Sequence, residues 1–215
     1  LVTAREYAEG TLQMFAQFPA ARVDRIHWFD DPTGPYGQVR KGAQAIELNM
    51  RYAAESARSM LLASRRRDVA GWDAQGKSWS VRNDVPVQGV IYHEFTHILD
   101  FSTLRESVHP RVRALLQDRA AVGADVYGDI ERQISAYAGS NMNELIAEAT
   151  TDVMVNGAAA SQLSREIFDL LRAEYRRRGF EVRTAPVDDL AEEAERLGEA
   201  FPKAAAPRAL SSQTV

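Results

Sequence analysis

His93-Glu94-Phe95-Thr96-His97 lies in an apolar stretch formed by Val87, Val90, Ile91, Phe95, Ile98 and Leu99. That spacing makes a broad apolar surface on a helix, so the segment must be a largely buried one. Four helical steps of about 100° come to little more than a full turn, so His93 and His97 project from one face. Asp84 can cap the start, and Pro86 is tolerated in the first turn. The helix is expected over residues 86–101. Polar groups inside so apolar a helix cost free energy unless they find partners. Any fold open to this chain must bury the helix and still satisfy its two imidazoles.

Two imidazole nitrogens on one face can take two sites on a single Zn²⁺ at about 2.1 Å. Glu94, one step round from His93, can reach a water at the metal without ligating it, which suits a general base. With four histidines in the chain, the HExxH pattern should arise by accident in under about one per cent of such sequences. The alternative is a pair of hydrogen-bonded structural histidines.

A catalytic zinc site needs a third protein ligand. The metzincin pattern is excluded, because Thr103 stands where its third histidine belongs and Asp100 where it needs glycine. His109, just before Pro110, is a weaker candidate, and His27 reads as part of a strand with Trp28 and Phe29. Glu144 and Glu148 lie one turn apart on an apolar helix containing Leu145, Ile146, Ala147 and Val153. Carboxylates there need metal or hydrogen-bond partners. A solvated stripe is the competing reading, since Asp152 continues the same spacing. Spacing alone leaves Glu144 and Glu148 equal.

These two motifs, His93-Glu94-Phe95-x-His97 and Tyr137-x-x-x-Asn141-x-x-Glu144-x-x-Ala147-Glu148, together resemble the gluzincin metallopeptidases. The likeness is to the group containing the anthrax lethal factor catalytic domain and its phage- and toxin-associated relatives. The motif helix of that group ends HEFGHxxD. Here it reads HEFTHILD, so Asp100 matches and Thr96 replaces a glycine. The resemblance implies Zn²⁺ held by His93, His97 and Glu144, with Glu94 as base and Tyr137 as the donor that stabilises the transition state. Asn141 and Glu148 fall on supporting positions. Asp100, on the face of both histidines, is expected to hold the second nitrogen of His97; a surface Asp near a helix end is the alternative.

The same resemblance makes residues 43–49 an edge strand above the cleft. A peptide could add to it through backbone hydrogen bonds, with Ile46 and Leu48 contributing to substrate binding; an ordinary edge strand is the competing reading. The implied fold is α+β and zincin-like, of the minigluzincin type. A small mixed sheet packs on the motif helix, followed by a helical C-terminal part. The implied activity is zinc-dependent peptide hydrolysis on a peptide or protein substrate, in a phage protein, a polymorphic toxin or a secreted effector. The rival reading is a non-catalytic structural or binding domain of a phage particle or secreted multidomain protein that keeps the zinc fold.

At 215 residues one main domain with a real core is expected. The net charge of −4 argues against nucleic acid or an anionic membrane as the main partner. The absence of cysteine excludes disulfides and a thiolate zinc site. No apolar run is long enough to span a bilayer, and no signal-peptide pattern is visible. A first residue of Leu reads as a piece of a longer protein. Helices are expected over residues 3–18, 52–67, 110–118, 141–155 and 161–178, and strands over 25–30, 36–40 and 43–49. A loop is expected near 123–128, and an irregular stretch over 71–85 carries Trp72 and Trp79. The arginine triplets at 65–67 and 176–178 read as helix C-termini, where the helix dipole favours cations. Residues 1–183 form the expected domain. Residues 184–215 form an acidic, then Ala/Pro/Ser-rich tail, partly disordered.

Overall fold

The computed structural model describes residues 2–53, 81 and 86–181. The tail, the arginines at 65–67, Trp72, Trp79, the Asp84 cap and most of the helix expected over 52–67 lie outside the described residues. Helix α1 (Val2–Gln17) leads into strands β1 (Arg25–Phe29), β2 (Gly37–Gln38) and β3 (Ala45–Asn49), and a helical turn, α2 (Met50–Ala53). The motif helix α3 (Pro86–Ile98) passes into a turn of π-helix over Leu99–Leu104. Helices α4 (His109–Ala121), α5 (Val126–Gln133), α6 (Met142–Asn156) and α7 (Gln162–Arg177) complete the α+β architecture.

The sheet is mixed. Its strand order is β1-β3-β2, with β1 parallel to β3 and β2 antiparallel to it. Alternation along β3 turns Ile46 and Leu48 into the core, where both are fully buried. Glu47 faces the other way, accepting from Gln38 at 2.5 Å and pairing with His27 at 3.3 Å and Arg40 at 3.4 Å. This corrects the expected edge strand. β3 is the central strand, so Ile46 and Leu48 are core residues and not substrate contacts. The strand beside the motif helix on the outside of the sheet is β2.

The core lies between α1, α3, α6 and α7 and the inward face of the sheet. Phe15 meets Phe95 edge-on at 5.0 Å, tying α1 to the motif helix. Phe18 packs edge-on against Tyr175 at 5.2 Å, and the Tyr175 hydroxyl accepts from the Ala20 N–H at 2.6 Å. α7 is thereby fixed to the far end of α1. Its buried Glu174 accepts from Ser107 at 2.6 Å and from Arg177 at 2.7 and 2.6 Å. Those arginine bonds hold its carboxyl down at about 2 against the opposing effect of burial. The C-terminal arginines thus close a helix end, as their position predicts.

A further departure from expectation lies in the second half of the chain. α5 occupies part of the region expected as a loop around its two glycines. Asp125 caps it by accepting from the Gly128 N–H at 3.1 Å. A Cβ on Gly128 would stand 2.1 Å from Asp125 Oδ2, so the glycine serves the cap rather than breaking the helix.

Candidate metal centre

The site is made where α3 crosses α6. On α3, His93 and His97 share one face, and their Nε2 atoms stand 3.1 Å apart. Asn141 starts α6 as its N-cap, its side chain accepting from the N–H groups of Asn143 at 3.0 Å and Glu144 at 3.1 Å. Such a cap contributes about 1 kcal/mol and sets where the helix begins. Glu144, in the first turn, then projects at the two histidines. Its Oε2 lies 2.9 Å from His93 Nε2 and 3.4 Å from His97 Nε2.

These three atoms fit a metal ion. His93, His97 and Glu144 form the group that could hold one among the described residues. A tetrahedral ion with bonds near 2.1 Å sets its ligand atoms roughly 3.4 Å apart. The three observed separations fall within about 0.5 Å of that. Glu144 Oε2 is buried and makes no hydrogen bond, so its approaches to the imidazoles are ion-pair contacts without bonding geometry. Two imidazole nitrogens and a carboxylate oxygen converging in this way make a donor set suited to a cation.

Glu148, one turn further along α6, does a different job. Its Oε1 accepts from His93 Nδ1 at 2.9 Å, and its Oε2 accepts from Ser135 Oγ at 2.7 Å. Ser135 Oγ in turn accepts from the Ala138 N–H at 3.0 Å. A carboxylate only accepts, so Nδ1 donates to Glu148 and Nε2 is the nitrogen left facing the centre, the one a metal ion would take in place of a proton. Spacing alone left Glu144 and Glu148 equal; their positions on α6 separate them.

The field at the centre is strongly negative. Burial disfavours charge on His93, but the carboxylates of Glu144 and Glu148 overcome it and lift its pKa to about 10. The Glu144 carboxyl is held far below its usual range: burial opposes this, and the two histidines outweigh it. A cluster that binds a proton this firmly is equally arranged to attract a cation.

Glu94 is buried beside the ligand face of α3. Tyr137 sits on a short 3₁₀ turn, Tyr137–Gly139, just ahead of α6, and its ring stacks on that of His93 at 5.7 Å and 19°. Burial first, then the charges of Glu144, Glu94 and Glu148, push the Tyr137 phenol well above its ordinary range. It therefore remains a hydrogen-bond donor at neutral pH.

Asp100 does not bond to His97. His97 Nδ1 has no hydrogen-bond partner, and its ring stacks instead on Phe101 at 5.5 Å. Asp100 Oδ2 is engaged by His109 Nε2 at 2.7 Å and by Asn143 Nδ2 at 3.3 Å. The cause is the change of winding after Ile98: Asp100 lies in the π-helical turn, where the three-residue face relation of an α-helix no longer holds. His109 is thus a partner of Asp100 and not a third ligand, and His27 lies on the outer face of the sheet.

Comparison with protein-family models, curated proteins and solved structures finds no match. Sequence reasoning missed Ser135, the second partner of Glu148, and Asn143 and His109 around Asp100. None of the three stands in a repeating pattern that would mark it. It also missed Gly37, read only as part of the strand expected over 36–40, where a Cβ would crowd Glu94.

Proposed function

We propose that this chain is a zinc metallopeptidase of gluzincin type on a zincin-like fold. The observation that carries the reading is the convergence of His93 Nε2, His97 Nε2 and Glu144 Oε2, with Glu94 and Tyr137 beside them. His93, His97 and Glu144 would hold the ion. When bound, zinc supplies Lewis acidity, polarising the scissile carbonyl and lowering the pKa of water toward about 7.

The protein groups do the rest. The Glu94 carboxylate accepts a proton from the attacking water as the new C–O bond forms. It then gives that proton to the amine nitrogen as the C–N bond breaks. The Tyr137 hydroxyl donates a hydrogen bond to the carbonyl oxygen as negative charge develops there. Its raised pKa keeps the proton in place for that task. Glu148 and Ser135 hold the His93 ring in its working tautomer. Neither Glu94 nor Tyr137 is needed to hold a metal, which favours an enzyme over a structural zinc domain. The resemblance in the two motifs supports a phage protein, a polymorphic toxin or a secreted effector as the setting.

An unbiased peptide library read by mass spectrometry tests the activity without a known substrate. The zinc-loaded protein is expected to generate new peptide termini. They should disappear on chelation and return with added zinc. A zinc-loaded protein that leaves the library intact contradicts the peptidase reading.

A further inference from the structure

Gly37 has no conformational reason to be glycine. Its φ lies outside the left-handed region, unlike that of Gly42 at 86°. A glycine inside a strand weakens it, and often marks a close approach of another group. Here the approach is measurable. A Cβ built on Gly37 would stand 3.0 Å from Glu94 Cγ, 3.0 Å from Val90 Cγ1 and 3.3 Å from Glu94 Oε1. The missing side chain is what lets β2 close onto the motif helix at the residue next to His93.

We propose that Gly37 is a positioning residue for Glu94. The strand backbone forms a wall against which the stem of the Glu94 side chain rests. That wall limits the rotamers open to Glu94 and fixes where the carboxylate stands relative to the three ligand atoms. A general base must lie within about 2.6–3.2 Å of the proton it takes. A displacement on the order of 1 Å can cost about 10²-fold in rate. Alanine at position 37 fits the backbone, but its Cβ is closer than ordinary contact, so Glu94 or Val90 must give by a few tenths of an ångström. The inference rests on the peptidase reading, because it takes Glu94 as the base.

The test compares Gly37→Ala with Gly10→Ala. Gly10, on α1, packs on the same helix, but a Cβ there meets only Gln88, at an ordinary 3.4 Å. Gly37→Ala is expected to lower kcat by roughly 10- to 100-fold, with KM and zinc stoichiometry unchanged. Gly10→Ala should match wild type in all three. In a Glu94→Gln background, Gly37→Ala should lower the residual rate no further, because the residue acts through the base. A crystal structure of Gly37→Ala should show the Glu94 carboxylate displaced from its wild-type position. Wild-type kcat in Gly37→Ala overturns the inference while leaving the peptidase reading intact. So does an equal further loss in the Glu94→Gln background, or a crystal structure in which Glu94 stays and β2 shifts away. If zinc-loaded wild type cleaves nothing, the peptidase reading fails, and the position of the Glu94 carboxylate in that crystal structure still decides whether Gly37 positions it.

Discussion

Glu144→Ala is expected to weaken zinc binding more than any other single substitution in α6, by well over about 100-fold. Glu148→Ala should weaken it by roughly 10- to 100-fold. The difference follows from what each carboxylate touches. Glu144 Oε2 stands 2.9 and 3.4 Å from the two Nε2 atoms that face the centre. Removing it leaves two ligands where three are needed. Glu148 instead accepts from the far nitrogen of His93 and from Ser135. Its loss frees the His93 ring to turn or change tautomer, and leaves the Ser135 hydroxyl without its acceptor. The ligand atoms themselves remain. Competition titrations against a chelating dye measure both affinities. The reverse order, with Glu148→Ala the weaker binder, would make Glu148 the ligand and overturn the site described here.

Glu94→Gln is expected to reduce peptide cleavage on the order of 10²- to 10³-fold while zinc stays bound, and Tyr137→Phe to do the same less severely. Gln keeps the size of the buried Glu94 side chain but cannot accept the proton. Phe keeps the ring that stacks on His93 at 5.7 Å but loses the hydroxyl. Neither group is among the three ligand residues, so folding and metal content should be close to wild type. Glu94→Gln is the more severe because Glu144 and Glu148 are engaged by the histidines, leaving no second carboxylate free to take the proton. Rates are read on whichever library peptides wild type cuts. A Glu94→Gln variant as fast as wild type contradicts the proposed mechanism whatever the metal content.

The parts of this molecule that were legible in the sequence are those where one local signal sufficed. The apolar spacing from Val87 to Leu99 announced the motif helix, and the alternation Ala-Ile-Glu-Leu-Asn announced β3. The helix expected over 141–155 matches α6, but that Asn141 is its N-cap, and so places Glu144, emerged only from the structure. What was not legible depends on relations between elements. Alternation shows that Ile46 and Leu48 share a face, but not that β3 has a neighbour on each side. Helical spacing put Asp100 with His97 because nothing in Leu99–Leu104 signals a π-helical turn. That turn ends in two consecutive left-handed residues, Arg105 at φ 51° and Glu106 at φ 58°. Neither is a residue type that advertises such a conformation. Gly128 read as a loop marker because its partner, the Asp125 cap, becomes apparent only once the helix is formed. The separate roles of Glu144 and Glu148 needed the histidines and Ser135 to be placed in three dimensions.

The most direct measurement is the metal content of the protein purified without added metal. Elemental analysis should find about one zinc per chain, removed by a chelator and restored by zinc, because one convergent set of three ligands binds one ion. Less than about a tenth of an equivalent, with no uptake when zinc is supplied, would contradict the metal centre and the peptidase chemistry built on it.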